Sequence, residues 1–177
     1  YINCLPRQNA EREFTLTRKI NPQPFIQSGH MEDACEEVFN IQVMGLAKRL
    51  VHTHCKKVVI GVSGGLDSTL ALLVCVRAFD KLKLDRKGIL AVTMPGFGTS
   101  ERTYTNAVAL MDELGVDTKE ISIVPSVVQH LKDIDHDTTT HDSTFENAQA
   151  RERTQILMDL ANEYNGMVLG TGDLSEL

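Results

Sequence analysis

The chain has 177 residues, 42% of them hydrophobic and 24% charged, and its formal net charge is -6. This length and composition are typical of one soluble globular domain, and no apolar run approaches the roughly 20 residues that a membrane helix needs. The acidic balance argues against nucleic acid as the main partner, because binding to a phosphate backbone depends on clustered Lys and Arg.

The first 30 residues are predicted to be a linker, or an arm that lies on another surface. They hold Pro6, Pro22 and Pro24, show no sustained period, and lack both an initiating Met and the order of a signal peptide. We therefore expect a chain cut from a longer one. The four cysteines form no CxxC pair and have no neighbouring His at zinc spacing. We interpret them as idle or buried thiols of a cytoplasmic protein.

A regular alternation of helices and strands is predicted from residue 31 onward. Apolar residues three to five positions apart, among them Val38, Ile41 and Leu46, predict one long amphipathic helix that ends near His52. A short apolar run at 58–62 predicts a strand buried on both faces. The remaining predicted elements are a helix at 69–79, a strand at 89–94, a helix at 101–114 closed by Gly115, a strand at 121–124, helices at 126–134 and 145–164, and a strand at 167–170.

This alternation predicts an α/β fold with a doubly wound, mainly parallel sheet and helices on both faces, similar to a Rossmann fold. Such sheets bind ligands beyond the carboxyl ends of their strands, where the strand order reverses. If the first three strands extend the sheet in one direction and the fourth returns to the other side of the first, the turn after the fourth strand faces the turn after the first.

The segment 133–147 is rich in Asp and Thr and contains His136 and His141. Its histidines and aspartates raise the alternative of a metal site. The polar residues of this segment show no helix or hairpin pattern that would fix metal ligands, which favours a solvated loop instead. We expect that loop to move when a ligand binds.

The segment 63–69, Ser-Gly-Gly-Leu-Asp-Ser-Thr, follows the first predicted strand and has the composition of a phosphate-binding turn. Gly64 and Gly65 allow a tight turn and a close approach of phosphate oxygens to the amides, and the next helix offers unpaired N–H groups. Hydroxyl donors come from Ser63, Ser68 and Thr69. The GxxxxGK[ST] and GxGxxG patterns do not fit. The alternative is an ordinary turn in which Asp67 or Ser68 caps the helix.

The carboxylate of Asp67 repels a polyphosphate, so that its presence in the turn makes sense chiefly as a Mg²⁺ ligand. Glu176 is the natural second carboxylate. We therefore predict a phosphate group and Mg²⁺ as the ligands of this site.

The turn 63–69 resembles the pyrophosphate-binding loop of the ATP pyrophosphatases. Three further segments, VTMPGFGTSERT, ENAQARERTQILMDLAN and VLGTGDLSEL, resemble the synthetase domain of the glutamine-dependent NAD synthetases. INPQPFI followed by EEVFNIQVMGLAKRL is similar to that family's join between a glutaminase domain and the synthetase domain. The resemblance implies an adenine nucleotide alpha hydrolase-like fold. It also implies a linker at 1–30 from a glutaminase domain of the same full-length chain, and part of the synthetase domain at 31–177.

The resemblance also assigns site residues. Thr171 is expected to bind ATP, Asp67 to bind Mg²⁺, and Asn147 and Arg151 to bind deamido-NAD. Glu176 matches a position that binds Mg²⁺ in the shorter ammonia-dependent enzymes and deamido-NAD in the longer ones. The residues expected at the ATP phosphates are Gly61, Val62, Ser63, Gly64, Gly65, Leu66, Asp67 and Ser68. The alternative for Asn147 and Arg151 is a solvated helix start, and Arg153 is open to pairing with Glu152 or Asp159 on the helix surface. Asp173 lies one position later than the acid of the shorter enzymes and is assigned no role.

The implied activity is the amidation of deamido-NAD to NAD through an acyl adenylate, with release of AMP and pyrophosphate and with ammonia supplied from glutamine. Two alternatives remain: an ATP-pyrophosphatase amide synthetase with another acid substrate, and an ATP-binding module without catalysis. The chain stops shortly after its last predicted strand, where the family continues, so that a folded but inactive fragment is one expected outcome. The long first helix is expected to pack on a second subunit, which predicts a homo-oligomer.

Overall fold

In the computed structural model, which describes residues 17–20 and 31–172, four strands form one parallel sheet. They are β1 (Val58–Gly61), β2 (Ile89–Thr93), β3 (Asp117–Glu120) and β4 (Met167–Leu169). The strand order is β3-β2-β1-β4, and Val58 lies opposite Ile89 on one side and Met167 on the other. The fourth strand thus lies on the far side of the first, as the sequence predicts.

Helices cover both faces of this sheet. They are α1 (Met31–Thr53), α2 (Leu66–Leu82), α3 (Glu101–Leu114), α4 (Val124–Asp133) and α5 (Ser143–Glu163). Successive β1 side chains point to opposite faces, as the pleat of a strand requires. Val58 and Ile60 belong to a core shared with α1, α2 and α3, whereas Val59 packs in a second core with Leu160 and Ala161 of α5. The predicted doubly wound α/β fold is confirmed.

The chain divides into two compact units, Tyr1–Glu36 and Glu37–Leu177. Of the first unit, residues 17–20 and the first turns of α1 are described, so that the linker predicted at 1–30 lies mostly outside the described residues. The second unit contains the sheet and helices α2 to α5. In the ranges that the structure describes, no helix is both long enough and apolar enough to cross a membrane.

Helix α1 has the predicted length, but only part of its predicted apolar face is buried. Val43, Leu46, Ala47 and Leu50 are buried in the second unit. Other apolar residues of the helix stay exposed, with relative exposures of 56% for Val38, 63% for Ile41 and 50% for Met44. The sequence pattern was ambiguous because apolar residues occupy more than one face of this helix.

Helix α2 begins at Leu66, three residues earlier than predicted. Gly65 is its N-cap residue in an extended conformation, with φ -82° and ψ 169°. Half of the predicted turn 63–69 is therefore the first turn of a helix. Asp67 and Ser68 are compatible with a helix start, because short polar side chains that bond to nearby backbone groups are favoured at helix N-termini and disfavoured in helix interiors.

The third strand was predicted at 121–124, and the structure places it at Asp117–Glu120, where all four residues are exposed. β3 is the edge strand, and the apolar residues that follow it enter the core instead: Ile123 is fully buried. The N–H groups of Ile121 and Ile123 donate to the carbonyls of Thr93 and Pro95. Ile121 and Ile123, two of the apolar residues that predicted a strand at 121–124, therefore belong to the connection between β3 and α4. The prediction for α3 and its closing Gly115 is confirmed, with Gly115 at φ 68°.

Candidate active site

A cavity of about 690 Å³ opens at the carboxyl ends of β1 and β2. The turn after β1, the turn after β2, the start of α3 and one face of α5 line it, and Thr171 after β4 also contributes. This is where parallel α/β sheets bind their ligands, because the connections diverge at the point where strand order reverses. The turn singled out in the sequence thus lines a cavity at this edge of the sheet, and ligand binding there stays a prediction.

The β1–α2 turn, residues 62–65, forms the part of this cavity that offers backbone amides. Gly64 has φ +85°, a conformation that L side chains rarely adopt. It also lies directly against α3: a Cβ at this position would overlap the carbonyl oxygen of Thr103 and lie 2.9 Å from its carbonyl carbon. Glycine at 64 is therefore required by both the backbone conformation and the packing of the turn on α3.

Two serine hydroxyls hold the shape of this turn from within. The backbone N–H of Ser63 donates to Ser68 Oγ at 3.3 Å, and Ser68 Oγ donates to the carbonyl of Gly65 at 3.2 Å. The N–H of Gly65 donates to Ser63 Oγ at 3.3 Å, and the two hydroxyl oxygens are 3.2 Å apart. Because the Ser68 proton is directed to Gly65, Ser63 supplies the proton between the two hydroxyls. Ser68 is only 4% exposed, so it acts mainly as an internal brace.

We expect Ser68→Ala to lower the free energy of unfolding by about 1–3 kcal/mol, because the substitution leaves the Ser63 N–H without its partner and removes one of the two hydrogen bonds that the Gly65 carbonyl accepts. Urea denaturation measures this effect. Thr69→Ala is the matched control, since the Thr69 hydroxyl has no hydrogen bond in the described part of the chain. A change of about 0.5 kcal/mol or less is expected there. Equal losses in the two variants would contradict the bracing role.

One face of α5 forms a second wall of the cavity. Glu146, Gln149, Arg153 and Leu157 recur three or four residues apart and line the space. Gln149 is 4% exposed, and its Oε1 accepts the N–H of Phe97 at 3.3 Å. The spacing of these residues was the signal that sequence reasoning could have used to find them.

Arg153 is half-buried in the same wall. Its Nε donates to the carbonyl of Met94 at 3.4 Å. Burial lowers the pKa of Arg153, and the nearby charge of Glu146 opposes this shift. Surface pairing of Arg153 with Glu152 or Asp159 was one sequence interpretation, and the structure shows neither ion pair among the described residues. The guanidinium faces the cavity instead.

An aromatic group closes the cavity next to this wall. Phe145 is 1% exposed, and its ring centroid lies 5.1 Å from that of Phe97 and 4.4 Å from that of the stacked His141. Asp142 caps α5 by accepting the N–H groups of Thr144 and Phe145. The Phe145 hydrogen bond and, next, that of His136 hold the pKa of Asp142 below its ordinary value.

The segment predicted as a loop at 133–147 is therefore partly helical, since α5 begins at Ser143. In the described ranges, no three His, Cys, Asp or Glu side chains group so that they could hold a metal ion. The alternative of a histidine metal site in this segment thus finds no support, while movement on ligand binding stays a prediction.

A family model described as NAD synthase matches residues 38–177 of this chain. The chain belongs to the NAD synthase family. The resemblance noted in the sequence is therefore confirmed at the level of the family.

Named members of this family are similar to the chain in sequence and in structure. It is 48% identical over 168 residues to a glutamine-dependent NAD(+) synthetase of Mycobacterium leprae, a match that covers 92% of this chain and 25% of the relative. A glutamine-dependent NAD+ synthetase of Acinetobacter baumannii, in complex with ADP, superposes with a TM-score of 0.72 at 30% identity, covering 79% of this chain and 26% of that one. An NMN synthetase of Francisella tularensis superposes with a TM-score of 0.69 at 27% identity, and the match covers 80% of this chain and 56% of that one. The chain spans about a quarter of the length of its glutamine-dependent relatives.

Within this NAD synthase fold, most residues predicted at the phosphates come together. Of the residues predicted to bind ATP, those that line the first cavity are Gly61, Val62, Ser63, Gly65, Ser68 and Thr171. Gly64 lies against α3, and Leu66 is 87% exposed. Thr171 also lines a second cavity of about 620 Å³ between α1, α2 and the end of β4, and Asp67 lines this second cavity.

The residues predicted at the acid substrate lie elsewhere. Asn147 and Arg151 are exposed on α5 and line neither cavity. Asn147 and Arg151 are four residues apart and share one face of α5. This face lies next to the face of α5 that lines the first cavity. Glu176 and Asp173 lie outside the described residues. The binding roles of all these residues therefore stay predictions.

Proposed function

We propose that this chain is the ATP-binding part of an enzyme that amidates deamido-NAD to NAD. The observation that carries the proposal is the Ser-Gly-Gly-Leu-Asp-Ser turn at the carboxyl end of the central strand in a member of the NAD synthase family. The named relatives are NAD+ synthetases, and one of them was solved with ADP. The rest of the full-length chain is proposed to hold a glutaminase domain that supplies ammonia, joined through residues 1–30 to a synthetase domain that begins at 31.

The chemistry requires activation of a carboxylate, because its leaving group would otherwise be oxide. The acid attacks the α phosphorus of ATP, which forms an acyl adenylate and breaks the bond to pyrophosphate. Ammonia then displaces AMP. The N–H groups of the β1–α2 turn and of the first turn of α2 stabilise the charge that grows on the departing pyrophosphate. No side chain of the turn needs to act as nucleophile or base in this reaction.

Asp67 fits the role of a Mg²⁺ ligand. Its carboxylate is exposed in the first turn of α2 and has no hydrogen bond or ion pair among the described residues. Mg²⁺ is usually held by one or two protein carboxylates together with substrate phosphates and water, so a single carboxylate at this place is sufficient. Bound Mg²⁺ would neutralise phosphate charge. Glu176 is the proposed second carboxylate.

Asp67→Ala is expected to reduce turnover at least about 100-fold, because Mg²⁺ would lose its proposed protein ligand in the first turn of α2, directly after the β1–α2 turn. Asp85→Ala is the matched control: this exposed aspartate caps a short turn before β2 and lies outside both cavities. Initial rates at several Mg²⁺ concentrations measure the effect. Unchanged rates at limiting Mg²⁺ would remove Asp67 from the metal site.

Product analysis tests the proposed function. The protein in its full-length form is incubated with Mg-ATP, deamido-NAD and an ammonium salt, beside the 177-residue chain. We expect NAD together with equimolar AMP and pyrophosphate. ADP and phosphate as products would contradict the chemistry, and ATP binding without any turnover would favour a nucleotide-binding module.

A second candidate substrate is the corresponding mononucleotide acid, nicotinic acid mononucleotide. The structural similarity to an NMN synthetase supports it, since the two folds superpose with a TM-score of 0.69. The same assay with both acids in competition separates the two candidates. Preferential formation of NAD supports the first.

Thr171 is proposed to bind ATP, since it lines the same cavity as Ser63 and Gly65. Asn147, Arg151 and Glu176 are proposed to bind deamido-NAD. The stripe of α5 that holds Asn147 and Arg151 adjoins the stripe that lines the cavity, so a substrate that extends over the rim would reach both. The protein is proposed to act in the cytoplasm.

We propose a homo-oligomer in which α1 packs on a second copy of the chain. Val38, Ile41 and Met44 form an exposed apolar stripe, and one stripe can pair with its own copy about a two-fold axis. Ile41→Lys is therefore expected to dissociate the oligomer, as measured by sedimentation equilibrium. Met158→Lys makes the same change at an exposed apolar residue of α5 and should leave the mass unchanged. A wild-type protein that is monomeric at all concentrations would overturn the proposal.

A further inference from the structure

The α5 wall of the cavity holds hydrogen-bond donors that have no protein partner. The guanidinium of Arg153 uses only its Nε, on the Met94 carbonyl, and both Nη groups are without a hydrogen bond or ion pair in the described ranges. The amide nitrogen of Gln149 is likewise unbonded, although the residue is only 4% exposed and its oxygen is held by Phe97. Both side chains line the cavity that contains the β1–α2 turn.

The wall is built so that these two side chains lie over a glycine. A Cβ at residue 96 would lie 2.7 Å from Arg153 Nη2 and 2.7 Å from Gln149 Oε1. Only the absence of a side chain at Gly96 allows both groups to rest against the backbone of the turn after β2. The same glycine lets Arg153 Nη2 and the side-chain amide of Gln149 approach the same part of the turn, with Gln149 Oε1 as the amide atom nearest to it.

A half-buried cation without a counter-ion is costly for the free protein. Burial disfavours its charged form, and the cost is recovered when an anion binds beside it. The pKa of Arg153 is lowered by burial, which agrees with this account. Glu146 is the charge that raises it, but it forms no ion pair with the guanidinium. Perturbed charged groups in clefts of this kind are concentrated at binding sites.

We propose that Arg153 and Gln149 form an oxyanion-binding subsite, separate from the β1–α2 turn, that takes a negatively charged oxygen of the reacting substrates. Two groups can bring this oxygen: the α-phosphoryl group of the nucleotide and the carboxylate of the acid. An arginine fork and an amide N–H suit both, since each offers oxygens in one plane or on one face. The assignment of these ligands rests on the proposed function, whereas the anion subsite itself rests on the geometry.

Matched ligand pairs test the subsite by calorimetry on the full-length protein. AMP and adenosine differ by the phosphoryl group, and deamido-NAD and NAD differ by the carboxylate. In Arg153→Met we expect the affinity for AMP, for deamido-NAD or for both to fall tenfold or more, with the affinity for the matched ligand that lacks the phosphoryl group or the carboxylate changed less than twofold. Loss for AMP identifies the phosphoryl source, and loss for deamido-NAD identifies the carboxylate. Pyrophosphate, the ligand expected at the β1–α2 turn, should bind with unchanged affinity.

Gly96→Ala and Gln149→Met provide independent variants. The new Cβ of Gly96→Ala meets the ends of two flexible side chains and Ile123 Cδ1 at 3.0 Å, so that we expect the fold to persist and the guanidinium to move. This variant should reproduce the selective loss of the anionic ligand, and Gln149→Met should show a smaller loss of the same selectivity. Arg77→Met is the control for charge, because Arg77 is exposed on α2 and outside both cavities.

Three results would overturn the subsite. The first is that Arg153→Met binds all four ligands with the affinities of the wild type. The second is that Arg153→Met loses as much affinity for adenosine as for AMP and as much for NAD as for deamido-NAD, and the third is that Arg77→Met shows the same changes in affinity as Arg153→Met. Failure of the proposed function is seen separately. A protein that binds AMP or deamido-NAD but forms no NAD loses the proposed activity, while the comparison of Arg153→Met with wild type still decides the subsite. A wild-type protein that binds none of the four ligands contradicts both.

Discussion

Gly64→Ala is expected to lower the free energy of unfolding by about 3 kcal/mol or more and to abolish ATP binding. The substitution puts a Cβ at a residue with φ +85° and forces it into the carbonyl oxygen of Thr103. Neither atom can yield easily, because one belongs to a tight turn and the other to the backbone of α3. The turn or the start of α3 must shift, and both line the cavity. Urea denaturation and calorimetry with ATP measure the two effects.

Gly65→Ala is the matched control for this result. Gly65 has φ -82°, and the nearest atom to a new Cβ is Ser63 Oγ at 3.4 Å, an ordinary contact. We expect a change in stability of about 1 kcal/mol or less, because alanine at an N-cap position is only mildly unfavourable. ATP binding is expected to weaken in both variants, since a methyl group at either residue lies close to the amides. Equal stability of the two variants would show that α3 does not hold the turn.

Phe145→Ala is expected to lower the free energy of unfolding by about 3–5 kcal/mol, the cost of emptying a fully buried phenylalanine site. Phe145 is 1% exposed and packs in a core with Ile123, Val127 and Leu131. It also follows the cap of α5, so that the loss is expected to loosen the helix that presents Gln149 to the cavity. Thermal and urea denaturation measure the loss.

Phe97→Ala removes a ring that touches Phe145 but is itself 42% exposed. Phe97→Ala is expected to lower the free energy of unfolding by about 1 kcal/mol, because this partly exposed ring buries much less apolar surface than Phe145. The two variants delete the same group on either side of one aromatic contact, so that burial is the main difference between them. Similar losses would mean that the aromatic contact, rather than core packing, holds the α5 start.

Local sequence determined the order and the type of the elements. The short apolar run 58–62 follows two lysines and precedes a glycine turn, after which the chain resumes a helical period, and this pattern favours a buried strand. The parallel sheet follows, because each strand is separated from the next by a helix. The position of the 63–69 turn at the carboxyl end of β1 follows in the same way, and so does the end of α3 at Gly115, where the chain needs a positive φ.

Tertiary structure decided which faces of these elements meet. The exposed edge strand β3 has no apolar pattern, and the apolar Ile121 and Ile123 after it marked a strand where the chain already turns toward α4. Helix α1 has apolar residues on more than one face, and only packing selects Leu46 and Leu50 for the core while Ile41 stays exposed. Hydrophobic periodicity predicts that a segment is helical, but it does not predict which of several apolar faces of the helix is buried.

The site depends on the same distinction. Residues that are adjacent in sequence, such as Ser63, Gly65 and Ser68, were identified because one short turn places them together. Gln149 and Arg153 reach the same cavity from a helix more than 80 residues later, across two crossovers, and only the packed fold brings them to the turn after β2. The sequence alone therefore determined which residues form the β1–α2 turn. The tertiary structure alone determined which distant side chains share its cavity, because contacts between remote segments are set by how the helices pack on the sheet.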